Sequence, residues 1–192
     1  MTATAEQLTF DADDFLAWEH AQPEKHEYLD GEVFAMVGAR QEHVLVVGNL
    51  LLALKHRLRG SPCRTYVSDM KLRVPTANAF FYPDVMVSCD ARDHAADLTL
   101  EHPILVVEVL SATTEGFYRG AKFAAYRTLS SLRDYVLVDV GARRLEIYRR
   151  TDGNDWLLHD CTPEEGGCHI ASLDLSLPFE EIFEDVPDTA DV

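Results

Sequence analysis

At 192 residues the chain suits one ordinary domain, which buries roughly 70% of the surface its unfolded form exposes. An apolar fraction of 47% and a charged fraction of 26% exclude a disordered or low-complexity polypeptide, and no apolar run is long enough to span a bilayer. A net charge of −16 excludes a uniformly basic nucleic-acid binder.

The opening MTATAEQLTFDADDF lacks the basic-then-apolar order of a secretion signal. Thr9–Trp18 predicts a first helix, with acids at its start where the helix dipole favours them. Tyr28–Val37 predicts a hairpin or bent strand turning at Asp30-Gly31, a pair suited to positive φ. Gln41–Arg59 gives the strongest helical pattern, with Val47, Leu50, Leu51, Leu54 and Leu58 in one stripe and Gly60-Ser-Pro62 as its stop. Strands are predicted over Thr65–Val74, Phe80–Ser88 and Ile104–Leu110. The first alternates wet and dry residues; the last is apolar apart from Glu108, as a strand buried on both faces must be. A helix over Gly116–Leu129, a buried strand over Asp134–Val140, its hairpin partner Arg144–Arg150, an edge strand at Trp156–His159 and a closing helix at Phe179–Phe183 complete the order. The expected fold class is α/β, a mixed central sheet flanked by helices, in a single domain over residues 1–185 with an acidic tail at 186–192.

Cys63, Cys89, Cys161 and Cys168 show no CxxC pairing and no histidine at the usual zinc spacing, so they read as reduced thiols of a cytoplasmic protein. Charge is unevenly spread. Residues 33–75 and 117–150 each carry a surplus of five bases, and residues 151–192 carry twelve acids and no base. The two basic stretches fit either solvated faces or a local phosphate-binding surface whose DNA affinity is weak and salt-sensitive.

Two carboxylates stand out. Glu108 lies within IleLeuValValGluValLeu, where an ionised group is costly unless a cation, a proton or an ion pair answers it. Asp84 follows Pro83 inside FFYPDVMVS; proline cannot donate to a sheet ladder, so the strand must bulge or break there and can aim Asp84 out of the sheet. If the two strands are neighbours, carboxylates about 4 Å apart repel by roughly 4 kcal/mol at an effective dielectric near 20. A hard divalent cation removes that repulsion, and Mg²⁺, with Mn²⁺ as a substitute, is the expected ion.

Pro83-Asp84 followed by Glu108 on the next strand resembles the signature of PD-(D/E)XK nucleases. The wider set of Glu27-Tyr-Leu-Asp-Gly-Glu32, Met36 with Glu42-His43, Tyr82-Pro-Asp-Val85, Pro103 with Val107-Glu-Val-Leu-Ser111 and Thr114, then Arg119, Lys122, Tyr126 and Asp134-Tyr-Val-Leu-Val-Asp139 resembles the Uma-two family of restriction endonucleases over about residues 25–150. The resemblance implies a restriction-endonuclease-like fold and a metal held by Asp84, Glu108 and the main-chain carbonyl of Val109. It further implies that Glu27 adds an acidic group, that Lys122 is the active-site lysine in place of one at Leu110, and that Arg119 grips a flanking phosphate. Lys71 is the alternative lysine. Two departures, Ser111-Ala112 for Ser-Pro and Tyr118-Arg119 for Asp-Arg, remove an expected partner of the basic pair. The implied activity is metal-dependent hydrolysis of phosphodiesters, in DNA, by a homodimer; the competing expectation is a non-catalytic binding module on the same scaffold. His43, at the N-terminal end of the apolar stripe, either points toward the site or, the favoured reading, is a satisfied core histidine.

Overall fold

The computed structural model describes residues 11–36, 38–110, 116 and 118–187. The start of the first predicted helix, the 111–115 motif positions, Phe117 and the last five residues of the acidic tail lie outside that set.

Helix α1 (Ala12–His20) is capped by Asp11, whose carboxylate accepts the Asp13 and Asp14 amides. It lays Phe15 on Tyr28 and Phe80. Strands β1 (His26–Leu29) and β2 (Glu32–Ala35) form the expected hairpin, with Asp30 and Gly31 at φ 47° and 97°. Helix α2 (Gln41–Arg57) follows. Its buried stripe runs through Val46, Leu50, Ala53, Leu54 and Leu58, rotated slightly from the predicted one so that Val47 and Leu51 only flank the core.

Two predicted strands prove to be four. Thr65–Val74 divides into β3 (Arg64–Val67) and β4 (Lys71–Val74), and Phe80–Ser88 into β5 (Ala79–Phe81) and β6 (Val85–Ser88). In each case the halves join different sheets. Ser68-Asp69-Met70 turns the first, and Pro83, without an N–H for the ladder, ends the second.

The linking stretch after β6 holds a short helix α3 (Ala91–Ala95) and strand β7 (Thr99–Leu100), neither of them legible in the sequence. Buried Asp93 organises this stretch by accepting the Ser88 hydroxyl (2.6 Å) and the Glu101 and His102 amides (3.0 Å each). Then come β8 (Leu105–Leu110), the π turn Tyr118–Lys122 leading into α4 (Phe123–Tyr126), β9 (Asp134–Asp139), β10 (Arg144–Arg150) and β11 (Trp156–Cys161). A hairpin of β12 (Gly167–Ile170) and β13 (Leu175–Pro178) and helix α5 (Phe179–Ile182) complete the described chain.

The larger sheet has the order β11-β10-β9-β8-β6-β3, with β8 and β9 parallel and the other pairs antiparallel. The smaller has the order β2-β1-β5-β4-β7. Alternate residues of β8 serve two cores. Leu105, Val107 and Val109 pack with α2, α5 and the β12–β13 hairpin, whereas Val106 and Leu110 pack with the smaller sheet and α4. Glu108 has the parity of the second set, so it points into the layer between the two sheets.

The cysteine expectation is half overturned. Register places Cys63 opposite Cys89 just beyond the β3–β6 ladder, and the two form a disulfide; Cys161 and Cys168 are free and buried. Cysteine usage therefore lends no support to a reducing compartment. Among the described residues no helix is long and apolar enough to cross a membrane.

Candidate functional site

Asp84 stands where β6 leaves the sheet after Pro83. The β6–β8 ladder pairs Val85 with Val107, so its continuation sets Asp84 opposite Glu108 and Pro83 opposite Val109. Instead of a ladder bond, the Val109 N–H donates to Asp84 Oδ2 at 2.8 Å, and the Asp84 N–H points to Glu108 Oε2 at 3.4 Å. In a strand the N–H and carbonyl of one residue face the same neighbour. The Val109 carbonyl thus faces the Asp84 side, where Pro83 has no N–H to give it. The two carboxylates occupy one rim of the sheet, each tied to the other's strand.

Glu108 is fully buried. Its Oε1 accepts from the Tyr126 hydroxyl at 2.8 Å and from Lys122 Nζ at 3.2 Å, donors one turn apart. Lys122 also donates to Glu27 Oε1 at 2.7 Å and lies over the Phe81 ring, 5.3 Å from its centroid. Glu27 accepts the Tyr82 amide at 3.1 Å as well. Behind it the Tyr82 hydroxyl donates to Glu19, which α1 supplies. The sequence assigns Lys122 to a polar helix face, but only 1% of it is exposed. The Lys122–Tyr126 face points inward, and Ala121 and Ala124 are outward. The π turn ending at Lys122 is of the kind that often interrupts helices at functional sites.

Glu27, Asp84, Glu108, Val109 and Lys122 are therefore brought together. Lys71, the alternative lysine, stands over the ring of Tyr82, the residue whose amide Glu27 accepts, 5.4 Å from its centroid. Arg119 stands to one side and pairs with Glu146 of β10. Glu146 and Glu108 both face Leu137 across the strands, so this pair lies two strand spacings, roughly 10 Å, from Glu108 on the same sheet face. Glu146 thus takes the place of the acidic partner lost at Tyr118.

His43 belongs to the site as well. It projects from the first turn of α2 with Nε2 3.3 Å from Asp84 Oδ2. Its place before the apolar stripe marked it as core, and only the break at Pro83 brings Asp84 within its reach. Tyr126 was visible as part of the motif, but its bond to Glu108 was not.

The electrostatics follow from crowding. Burial pushes the Glu108 carboxyl up, Lys122 opposes this, and Asp84 and Glu27 push further, leaving it at about 7. Burial lowers the Lys122 ammonium, but Glu108 and Glu27 outweigh that and raise it. Burial also lowers His43, and the Asp84 bond with the charges of Asp84, Glu108 and Glu42 reverses the sign. Three carboxylates thus crowd one site, Glu27 and Glu108 on Lys122 and Asp84 on His43, with Glu108 near its midpoint at neutral pH. Carboxylate and carbonyl oxygens on one rim suit a hard divalent ion.

Comparison with known proteins agrees with this architecture. The family model Uma2, described as "Putative restriction endonuclease", matches residues 12–180. An uncharacterized protein of Synechocystis sp. is 38% identical over 171 residues, covering 89% of this chain and 90% of its own. A second from the same organism is 32% identical over 166 residues, covering 85% and 93%. A crystal structure from Anabaena variabilis ATCC 29413, titled "a putative nuclease belonging to DUF820", superposes with a TM-score of 0.72 at 15% identity, covering 91% of this chain and 97% of that one. It shares the fold.

Proposed function

This chain belongs to the Uma2 family of restriction-endonuclease-like proteins, and from that membership we propose that it is a divalent-metal-dependent endonuclease hydrolysing phosphodiester bonds in DNA. The observation that carries the reading is the rim where Asp84 and Glu108 meet across β6 and β8 with the Val109 carbonyl beside them. Asp84, Glu108 and that carbonyl would hold Mg²⁺, with Mn²⁺ as a substitute. Bound there, the ion would lower the pKa of a water and neutralise charge on the scissile phosphate.

The rest falls to the chain's own groups. Lys122 fixes Glu108 and Glu27 and places a permanent positive charge beside them, suited to a phosphate oxygen that gains charge. Tyr126 holds the orientation of Glu108 from the same helix face. His43 steadies Asp84 and can take or return a proton at Nε2. Arg119, held by Glu146 on the same sheet face, is placed to meet a neighbouring phosphate.

With acid dominating the overall charge, DNA affinity is weak and falls steeply with salt. A homodimer belongs to the same reading, since cutting both strands takes two sites. Sedimentation at micromolar concentration is expected to give twice the chain mass, and a monomer mass rejects the dimer. We place the protein in the cytoplasm, where its DNA substrate would be met.

Nicking of supercoiled plasmid in Mg²⁺ tests the activity. It is expected to stop with EDTA and in Asp84→Asn and Glu108→Gln while the circular dichroism spectrum is kept; undiminished nicking by both variants defeats the assignment. One observation favours a second reading, a non-catalytic module: Lys122 already bridges two of the carboxylates. In that case neither Mg²⁺ nor Mn²⁺ binds below millimolar concentration.

A further inference from the structure

Three strand spacings from Glu108, roughly 14 Å away, a second group of ligand-type side chains gathers at the end of β11. His159 and Cys161 are two residues apart on that strand and so share a face. The chain then reverses through a 3₁₀ turn, Pro163–Glu165, closed by a capping box and by Gly166 at φ 75°. The reversal brings Glu165 back beside His159 and carries Cys168 of β12 under Cys161. A ring nitrogen of His159, Sγ of Cys161 and a carboxylate oxygen of Glu165 all lie within 4.8 Å of one another. His159 Nε2 is 3.5 Å from Glu165 Oε2. Cys168 stands with Cys161 in one buried core cluster. Both thiols are free and buried, whereas His159 and Glu165 stand at the open side of the group.

We propose that His159, Cys161, Glu165 and Cys168 form a zinc site that ties edge strand β11 to the β12–β13 hairpin. Two thiolates, an imidazole and a carboxylate make a closed four-ligand set, and sulfur with nitrogen selects Zn²⁺ over the hard ions suited to the carboxylate rim. The sequence hides the set because its spacing, His-x-Cys-x3-Glu-x2-Cys, depends on the 3₁₀ reversal. Glu165 already divides its carboxylate usefully: Oε1 accepts the Thr162 amide at 3.3 Å, and Oε2 turns to His159. His159, Cys161 and Glu165 already stand together, so closing the site takes torsions of the two exposed side chains and an approach of the Cys168 thiol. On binding, each thiol loses its proton to solvent and the imidazole binds neutral.

The site would be structural. Among the described residues its edge strand pairs only with β10, and the hairpin's own sheet has two strands. Metal would join these two weakly anchored elements to the core that holds Cys161 and Cys168.

The test is a titration of the full chain, with the Cys63–Cys89 bridge intact and stripped with chelator, with ZnCl₂ against a chromogenic zinc chelator. It is run in the Asp84→Asn/Glu108→Gln background so that the carboxylate rim contributes nothing. One Zn²⁺ per chain is expected at submicromolar affinity, with roughly a 10–100-fold loss in His159→Ala and in Glu165→Gln and a larger one in Cys161→Ser. Co²⁺ in place of zinc should give the visible absorption of a tetrahedral site with sulfur ligands. If Cys161→Ser does not fold, the His159 and Glu165 variants and the cobalt spectrum decide. Stoichiometry below one half, or affinity unmoved by the His159 and Glu165 changes, overturns the site. So does a mass four hydrogens short, two for the Cys63–Cys89 bridge and two for a Cys161–Cys168 disulfide, in chain isolated under the same conditions.

Discussion

Glu108 is the residue on which the proposed chemistry turns, and its surroundings explain how an acid survives in an apolar strand. It is not left alone: Tyr126 and Lys122 both donate to one of its oxygens, and Lys122 is shared with Glu27. Removing one partner of such a buried network costs more than the network contributes, because the other charge stays behind in a dry place. Lys122→Met, close in volume but uncharged, is therefore expected to destabilise the metal-free protein by about 3–5 kcal/mol in urea unfolding. Added Mn²⁺ should recover part of this loss, and a change below about 1 kcal/mol would show that the carboxylates do not depend on the ammonium. At this scale the sequence was informative where residue type and surroundings conflict. Glu108 broke an apolar run, and Pro83 announced Asp84. His43 and the Glu146 partner of Arg119 carried no such conflict. Each is an ordinary residue in its own element, and becomes part of the site only through contacts with strands distant in sequence.

The elements show a similar division. Strands buried on both faces and helices with an apolar stripe were legible because hydrophobic periodicity specifies them locally; β8, β9, β10 and α2 lie close to their expected places. Breaks inside strands were not. Thr65–Val74 keeps one alternation and Phe80–Ser88 one buried run through a change of sheet, and periodicity does not record which sheet a residue joins. The Cys63–Cys89 bridge has the same origin, since the β3–β6 register sets those residues opposite each other. It closes a loop across a separation of 26 residues. Chain-entropy reasoning gives such a crosslink about 3 kcal/mol. Reduction with dithiothreitol, or Cys63→Ser, should lower the urea midpoint accordingly without moving the far-ultraviolet circular dichroism spectrum. An unchanged midpoint would mean that the bridge places no constraint on the unfolded chain.

Across the whole molecule, two sheets meet over a layer that is apolar except at one rim. Helices α1, α2 and α4 each deliver a polar side chain there or just behind it: Glu19 supports Tyr82, His43 meets Asp84, and Lys122 joins Glu27 to Glu108. A fold that directs so many charged groups to one place is what the proposed metal centre requires. The matching family model spans all these elements. The most direct measurement is the anomalous difference density of a crystal soaked in Mn²⁺. We expect a single strong peak within about 2.0–2.6 Å of an oxygen from each of Asp84 and Glu108 and of the Val109 carbonyl. Absence of density at that rim, while Mn²⁺ is ordered elsewhere in the same crystal, would contradict the assignment.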